Sequence, residues 1–193
     1  MNLFHPEFDQ YPEPRGILPR RAPLELLFFG FVRPYKGLDV LAKAMKILRR
    51  EDIHLCIVGE WLQNDTDLRK QLESDNRVEL VDEYVHDALA AEFFSRADVI
   101  ILPYHSATGS GIGALAYHYH KPVIISDIPS LKTLVEQNIL RGVIFEAGNP
   151  EDLARAITDI AQAPSITIAP GHQIPEMSWD SMARSILEFD IQR

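Results

Sequence analysis

The chain has 193 residues, 46% of them hydrophobic and 24% charged, with a formal net charge of −9. That length and composition suit a soluble globular protein of one domain, or a small domain with extensions, able to bury a core without disulfides or metals. The acidic balance argues against broad nucleic-acid binding and against contact with an anionic membrane surface, and leaves room for a local basic pocket.

The single cysteine, Cys56, cannot close an internal disulfide, so a reducing, cytoplasmic compartment is expected. Inside the apolar run Ile53–Val58 it reads as a small core residue. The start, Met1-Asn2-Leu3-Phe4-His5-Pro6, lacks the basic region and apolar core of a signal peptide. No apolar run approaches the roughly 20 residues needed to span a bilayer.

Residues 1–23 carry Pro6, Pro12, Pro14, Gly16, Pro19 and Pro23 without periodicity and are expected to be an extended lead-in or linker. Leu24–Phe29 is an apolar run ending at Gly30, a buried strand. Gly37–Arg50 follows with Leu38, Leu41, Ala42, Met45 and Leu48 at helical spacing. Ile53–Val58 is the second strand, Thr66–Ser74 a helix and Val78–Val81 a short strand. Asp87 is expected to cap a helix through Arg96. Asp98–Leu102 is a buried strand stopped by Pro103, Gly111–Tyr119 a helix, Pro122–Ser126 a strand, Leu131–Glu136 a short helix and Gly142–Phe145 a strand. Asn149-Pro150-Glu151-Asp152 combines a cap, a proline at the first position and acids in the first turn, so a helix runs from there to about Ala161. Residues 162–176 read as loop, and Ser178 is expected to cap a last helix through about Phe189.

Strands and helices alternate, and the strands are continuous apolar runs, as expected where both sheet faces are covered. Right-handed crossovers then give an α/β fold, a doubly wound, Rossmann-like parallel sheet of about six strands. Residues 24–175 form that domain, and residues 176–193 form a terminal helix packed on it or on a second domain.

In such a sheet, ligands bind at the carboxyl ends of the strands, where the strand order reverses. One loop there is Gly30-Phe31-Val32-Arg33-Pro34-Tyr35-Lys36-Gly37. Its glycines allow tight turning, and Arg33 and Lys36 lie where a helix start adds free N–H groups and partial positive charge. The loop is either a diphosphate cradle or two solvated cations beside a turn. The other loop, Pro103 to Gly113, places Ser106, Thr108, Gly109, Ser110, Gly111 and Ile112 directly before a helix. Its backbone N–H groups are open to an anion, and Ser110 either caps the helix or donates to a phosphate oxygen. The glycine spacing is not that of a nicotinamide-dinucleotide site. His105 is the best placed histidine. His118 and His120 lie on or after a helix, and Trp61 and Trp179 read as packing residues, with Trp61 also placed at a strand's carboxyl end where it could line the cleft.

At these residues the chain resembles the C-terminal domain of GT-B glycosyltransferases, in particular the retaining family 4 group. The resemblance rests on Phe29-Gly30, Arg33, Lys36-Gly37-Leu38-Asp39, Ile57-Val58-Gly59-Glu60, the run Ala97–Pro103, Lys121-Pro122-Val123-Ile124 and the run Phe145–Ile157. It covers about residues 24–163.

The resemblance implies a nucleotide-sugar donor, UDP- or GDP-linked, with no metal or other cofactor. It implies that Arg33 and Lys36 bind the diphosphate, that the backbone at Tyr84-Val85 holds the base, and that the Gly109–Gly113 helix start faces the phosphates and sugar. It also implies that the acceptor-binding N-terminal half is missing, so the chain is expected to be a domain fragment, with His5–Tyr11 similar to the inter-domain linker. Many members carry two glutamates where this chain has Ala107 and Leu115. The function expected is therefore the donor-binding half of a retaining glycosyltransferase. The alternative is a catalytically inactive nucleotide-binding or interaction module. A nucleotide-sugar epimerase would need acidic residues at the cleft that are not found.

Overall fold

The computed structural model describes residues 11–61 and 65–162. The expected terminal helix, the preceding loop, Trp179 and most of the segment His5–Tyr11 lie outside the described residues.

Six strands, β1 (Leu24–Phe29), β2 (Ile53–Val58), β3 (Val78–Val81), β4 (Val99–Leu102), β5 (Val123–Ser126) and β6 (Gly142–Phe145), form one parallel sheet in the order β3-β2-β1-β4-β5-β6. The helices between them are α1 (Leu38–Ile47), α2 (Thr66–Glu73), α3 (Asp87–Arg96), α4 (Gly111–His118), α5 (Pro129–Glu136) and α6 (Pro150–Gln162). The chain winds outward from β1 to β3, crosses back to β4 and winds outward the other way, so the order reverses between β1 and β4.

Alternation along β1 and β2 feeds two apolar layers. Leu26, Phe28, Leu55 and Ile57 meet Leu41, Met45, Leu153 and Ile157 of α1 and α6 on one face. Leu27, Cys56 and Val58 meet Phe93, Phe94, Ala116 and Leu131 of α3, α4 and α5 on the other. Each large side chain buried this fully contributes roughly 1.5–3 kcal/mol of transfer free energy. Cys56 is a core residue, as expected, and burial pushes its thiol up to about 12. No helix of the described residues is long and apolar enough to cross a membrane.

Several boundaries differ from the sequence expectation, each for a local reason. The cap of α3 is His86, whose Nδ1 accepts from the Leu89 amide at 3.4 Å, and Asp87 sits in the first turn instead. Helix α1 stops at Ile47 because Leu48 is already extended. The guanidinium of Arg77 takes the carbonyls of Met45, Leu48 and Arg50, a long-range C-cap with no local signature. Helix α5 begins earlier, with Pro129 in its first turn, where the absent N–H costs nothing.

The lead-in is bonded to the domain. The Arg15 and Ile17 amides donate to Glu92, Arg20 pairs with Asp98 at 2.6 Å, and the Arg21 and Ala22 amides donate to Glu25. Tyr11 packs edge-on to Tyr119.

Candidate functional site

The strand order reverses between β1 and β4, and the loops leaving those strands meet there. The His105 amide donates to the Tyr35 carbonyl at 2.7 Å. Gly37 has φ +67°, and a Cβ there would lie 1.8 Å from the Pro103 carbonyl oxygen. Only glycine allows the two loops to come this close. Ser126 holds the end of β4 by donating to the Tyr104 carbonyl at 2.6 Å.

Lys36 ends a short 3-10 turn, Pro34–Lys36, and its side chain folds inward. A Cβ on Gly30 would be 2.9 Å from Lys36 Nζ and 3.2 Å from Ile112 Cδ1. The ammonium thus lies over the backbone at the end of β1, with the first turn of α4 at its side. Lys36 is only 7% exposed, and no carboxylate or hydrogen-bond acceptor meets it among the described residues. It stands over the face of Tyr104, whose ring centre is 5.9 Å from Nζ.

Burial, and then the like charge of Arg33, pull the Lys36 ammonium down to about 8. A buried cation without a counter-charge is unfavourable, and a bound anion would relieve that cost. Arg33 itself is exposed and makes no side-chain bond among the described residues.

Helix α4 opens toward the same place. Ser110 is its N-cap, accepting from the Gly113 amide at 3.0 Å. The hydroxyl proton and the first amides of the helix remain available to an anion. Tyr104 was not singled out by sequence reasoning. It is buried, and burial pushes its phenol far up, so it stays protonated. Its place immediately after Pro103 was the available signal.

The structure therefore brings Gly30, Lys36, Gly37, Ser110 and Ile112 together, with Arg33 close enough to act on Lys36. Ser106, Thr108, Gly109 and Gly111 lie exposed along the β4–α4 loop. Glu60 is exposed at the end of β2, where its carbonyl accepts from the Val32 amide at 3.0 Å. Tyr84, 72% exposed, and Val85, buried in the apolar layer, follow β3 on the side of β2 away from β1. None of these makes a described contact with Lys36. His118 stands against the Tyr119 ring at 4.7 Å and His120 is an exposed residue past the end of α4.

Leu115 is 7% exposed, and Ala107 packs against the same apolar layer. A separate cleft of about 410 Å³ lies between α1 and α2, among Met45, Lys46, Arg49, Gln71 and Arg77, and shares no residue with the crevice. The crevice is the better candidate because it sits at the strand-order reversal and holds the unpaired buried charge.

The family described as glycosyl transferases group 1 matches residues 23–163. The chain is 27% identical over 160 residues to a GDP-mannose:glycolipid 4-beta-D-mannosyltransferase of Xanthomonas campestris pv. campestris, covering 82% of this chain and 46% of that protein. Among solved structures it is similar to Anabaena Alr3699/HepE in complex with UDP, with TM-score 0.66, 19% identity and coverage of 76% of this chain and 41% of the other. It is also similar to the C-terminal domain of a glycosyl transferase group 1 family protein from Francisella tularensis, with TM-score 0.64, 16% identity and coverage of 76% and 80%. The chain spans less than half the length of the curated relatives it matches.

Proposed function

Because the chain belongs to the group 1 glycosyl transferases, we propose that its crevice between β1 and β4 holds the diphosphate of a UDP- or GDP-linked sugar, as the donor half of transfer to an acceptor hydroxyl. The observation that carries this reading is Lys36, a side chain only 7% exposed whose ammonium meets no counter-charge among the described residues and lies at the junction of Gly30 and the α4 start. As the bond from sugar to diphosphate breaks, negative charge grows on the leaving phosphate. Lys36, Arg33 and the amides after Ser110 are set in advance to stabilise it. That charge comes from side chains and backbone, so no metal is invoked.

Within this reading the Tyr84-Val85 backbone takes the base, the Gly109–Gly113 helix start faces the phosphates and the sugar, and Glu60, Ser106 and Thr108 belong to the same donor site. Residues 24–175 are the donor domain and residues 1–23 lead into it. A second, N-terminal domain supplies the acceptor site, which the greater length of the relatives supports. The lone buried thiol supports a cytoplasmic setting. The proposed outcome is retention, with inversion as the competing outcome. The anomeric configuration of the product of the whole protein, read by NMR, decides between them.

Leu115 and Ala107 favour one other reading, a nucleotide-binding module without transfer activity, since an apolar pair stands where many members place glutamates. A thermal-shift screen against UDP, GDP, ADP and their sugars tests the primary reading. Ligand that binds only the native state stabilises it by about 2.7 kcal/mol at a hundred times Kd. A rise with UDP or GDP and none with ADP is expected; no rise with any of them would remove the donor site. Binding without transfer by the whole protein would select the inactive module.

A further inference from the structure

We propose that His105 is a positioning residue for this site: bonded to Asp39, it holds the β4–α4 loop at the separation from the β1–α1 loop that a bound diphosphate requires. The proposal rests on the donor-site reading above. His105 Nε2 lies 2.9 Å from Asp39 Oδ1. Asp39 is in the first turn of α1 and also accepts from Lys43 Nζ at 3.2 Å. Burial raises the Asp39 carboxyl, but the bonds from His105 and Lys43 outweigh it and hold the group below its ordinary value, so it remains an ionised partner. The same residue's main chain joins Tyr35 on the opposite loop. His105 is therefore the point at which both backbone and side chain tie the loops together.

Lys36 lies on the β1–α1 loop that this tie holds, and the Ser110-capped helix start follows the β4–α4 loop at its other end. The packing of Gly37 against Pro103 fixes how near the loops come, while the His105–Asp39 bond opposes their drifting apart. The charged group beside the pair is Lys43 on α1, and only Asp39 bonds the imidazole among the described residues. Both partners are well exposed, at 41% and 43% of their side chains. Such a pair contributes little to global stability, so its place between two ligand-binding loops is what gives it a role.

The test uses the full chain and isothermal calorimetry at neutral pH, with UDP, GDP and inorganic pyrophosphate as probes. The variants are His105→Ala, His105→Gln, Asp39→Asn and the double variant His105→Ala with Asp39→Asn. His105→Ala and Asp39→Asn should each weaken binding by about fivefold. The double variant should lose no more than either single one, because both remove the same link. His105→Gln keeps a donor for Asp39 and should recover most of the affinity. Ligand-free unfolding temperatures should be nearly unchanged throughout. Unchanged affinities, additive losses, or losses that follow a fall in unfolding temperature would each overturn the positioning role. A wild-type chain that binds none of the three probes would remove the donor site itself, and this role with it.

Discussion

Lys36→Met is expected to lose nucleoside-diphosphate binding by about ten- to hundredfold, the worth of a charge-assisted hydrogen bond, and at the same time to raise the stability of the ligand-free fold. The two effects share one cause. Lys36 is buried without a counter-charge, and its ammonium is pulled from 10.5 to about 8. Each unit of that displacement corresponds to about 1.4 kcal/mol, so the charged form costs the free protein on the order of 3 kcal/mol.

The sign follows from proton counting. Between pH 8 and 10.5 the unfolded chain holds more protons on this lysine than the folded one, so wild-type stability gains from this group as pH rises through that window. Below pH 8 the cost is present in full, and there the methionine variant should unfold about 6–12 °C higher. A bound diphosphate restores the proton. Wild-type affinity should therefore fall about tenfold between pH 7 and pH 9, whereas the variant's remaining affinity should not follow this step. Calorimetry at the two pH values, with thermal unfolding of both proteins, checks all three statements. A variant that binds normally, or that is destabilised at neutral pH, would mean that Lys36 is an ordinary packing residue.

This conflict between stability and binding also marks where sequence reasoning stops. The sheet was legible because a parallel sheet covered on both faces requires continuous apolar runs, and runs such as Leu24–Phe29 and Val99–Leu102 have no competing interpretation. The two site loops were legible because the reversal of strand order follows from right-handed crossovers. What separates Arg33 from Lys36 was not legible. Both are cations in one loop, and only the turn at Pro34–Lys36, closed against Pro103, sends one inward and leaves the other in solvent. Tyr104 and the His105–Asp39 bond escaped for the same reason, since each depends on a loop far away in sequence. The cap of α3 fell to His86 rather than Asp87 because an imidazole nitrogen can accept the same amide as the expected carboxylate.

The remaining long-range feature, a buried ionic ladder across the other end of the sheet, yields the second large effect. Glu25 on β1 is 1% exposed and pairs with His54 Nδ1 on β2 at 2.7 Å, while Arg96 of α3 lies 3.8 Å from it and bonds Glu79 of β3 at 2.9 Å. The second carboxylate oxygen of Glu25 takes the Arg21 and Ala22 amides and so fastens the lead-in. Burial alone would raise this carboxyl, but those amides and His54 together hold it below 4.5. Removing one partner of a buried pair leaves the others uncompensated, at a cost of about 3–5 kcal/mol. Glu25→Ala should fall at the lower end, about 3 kcal/mol, because Arg96 keeps Glu79. Since the folded-state value is the lower one, this contribution is present above the unfolded carboxyl's 4.5 and is lost as pH falls through the folded value. The gap between wild type and variant in urea unfolding should accordingly narrow in acid. Glu25 begins the strand whose other end meets Lys36, so nucleotide affinity of the folded variant at neutral pH should match wild type. A stable variant, or one that unfolds readily and also binds weakly while folded, would show that the ladder and the crevice do not divide stability and binding between the two ends of the sheet.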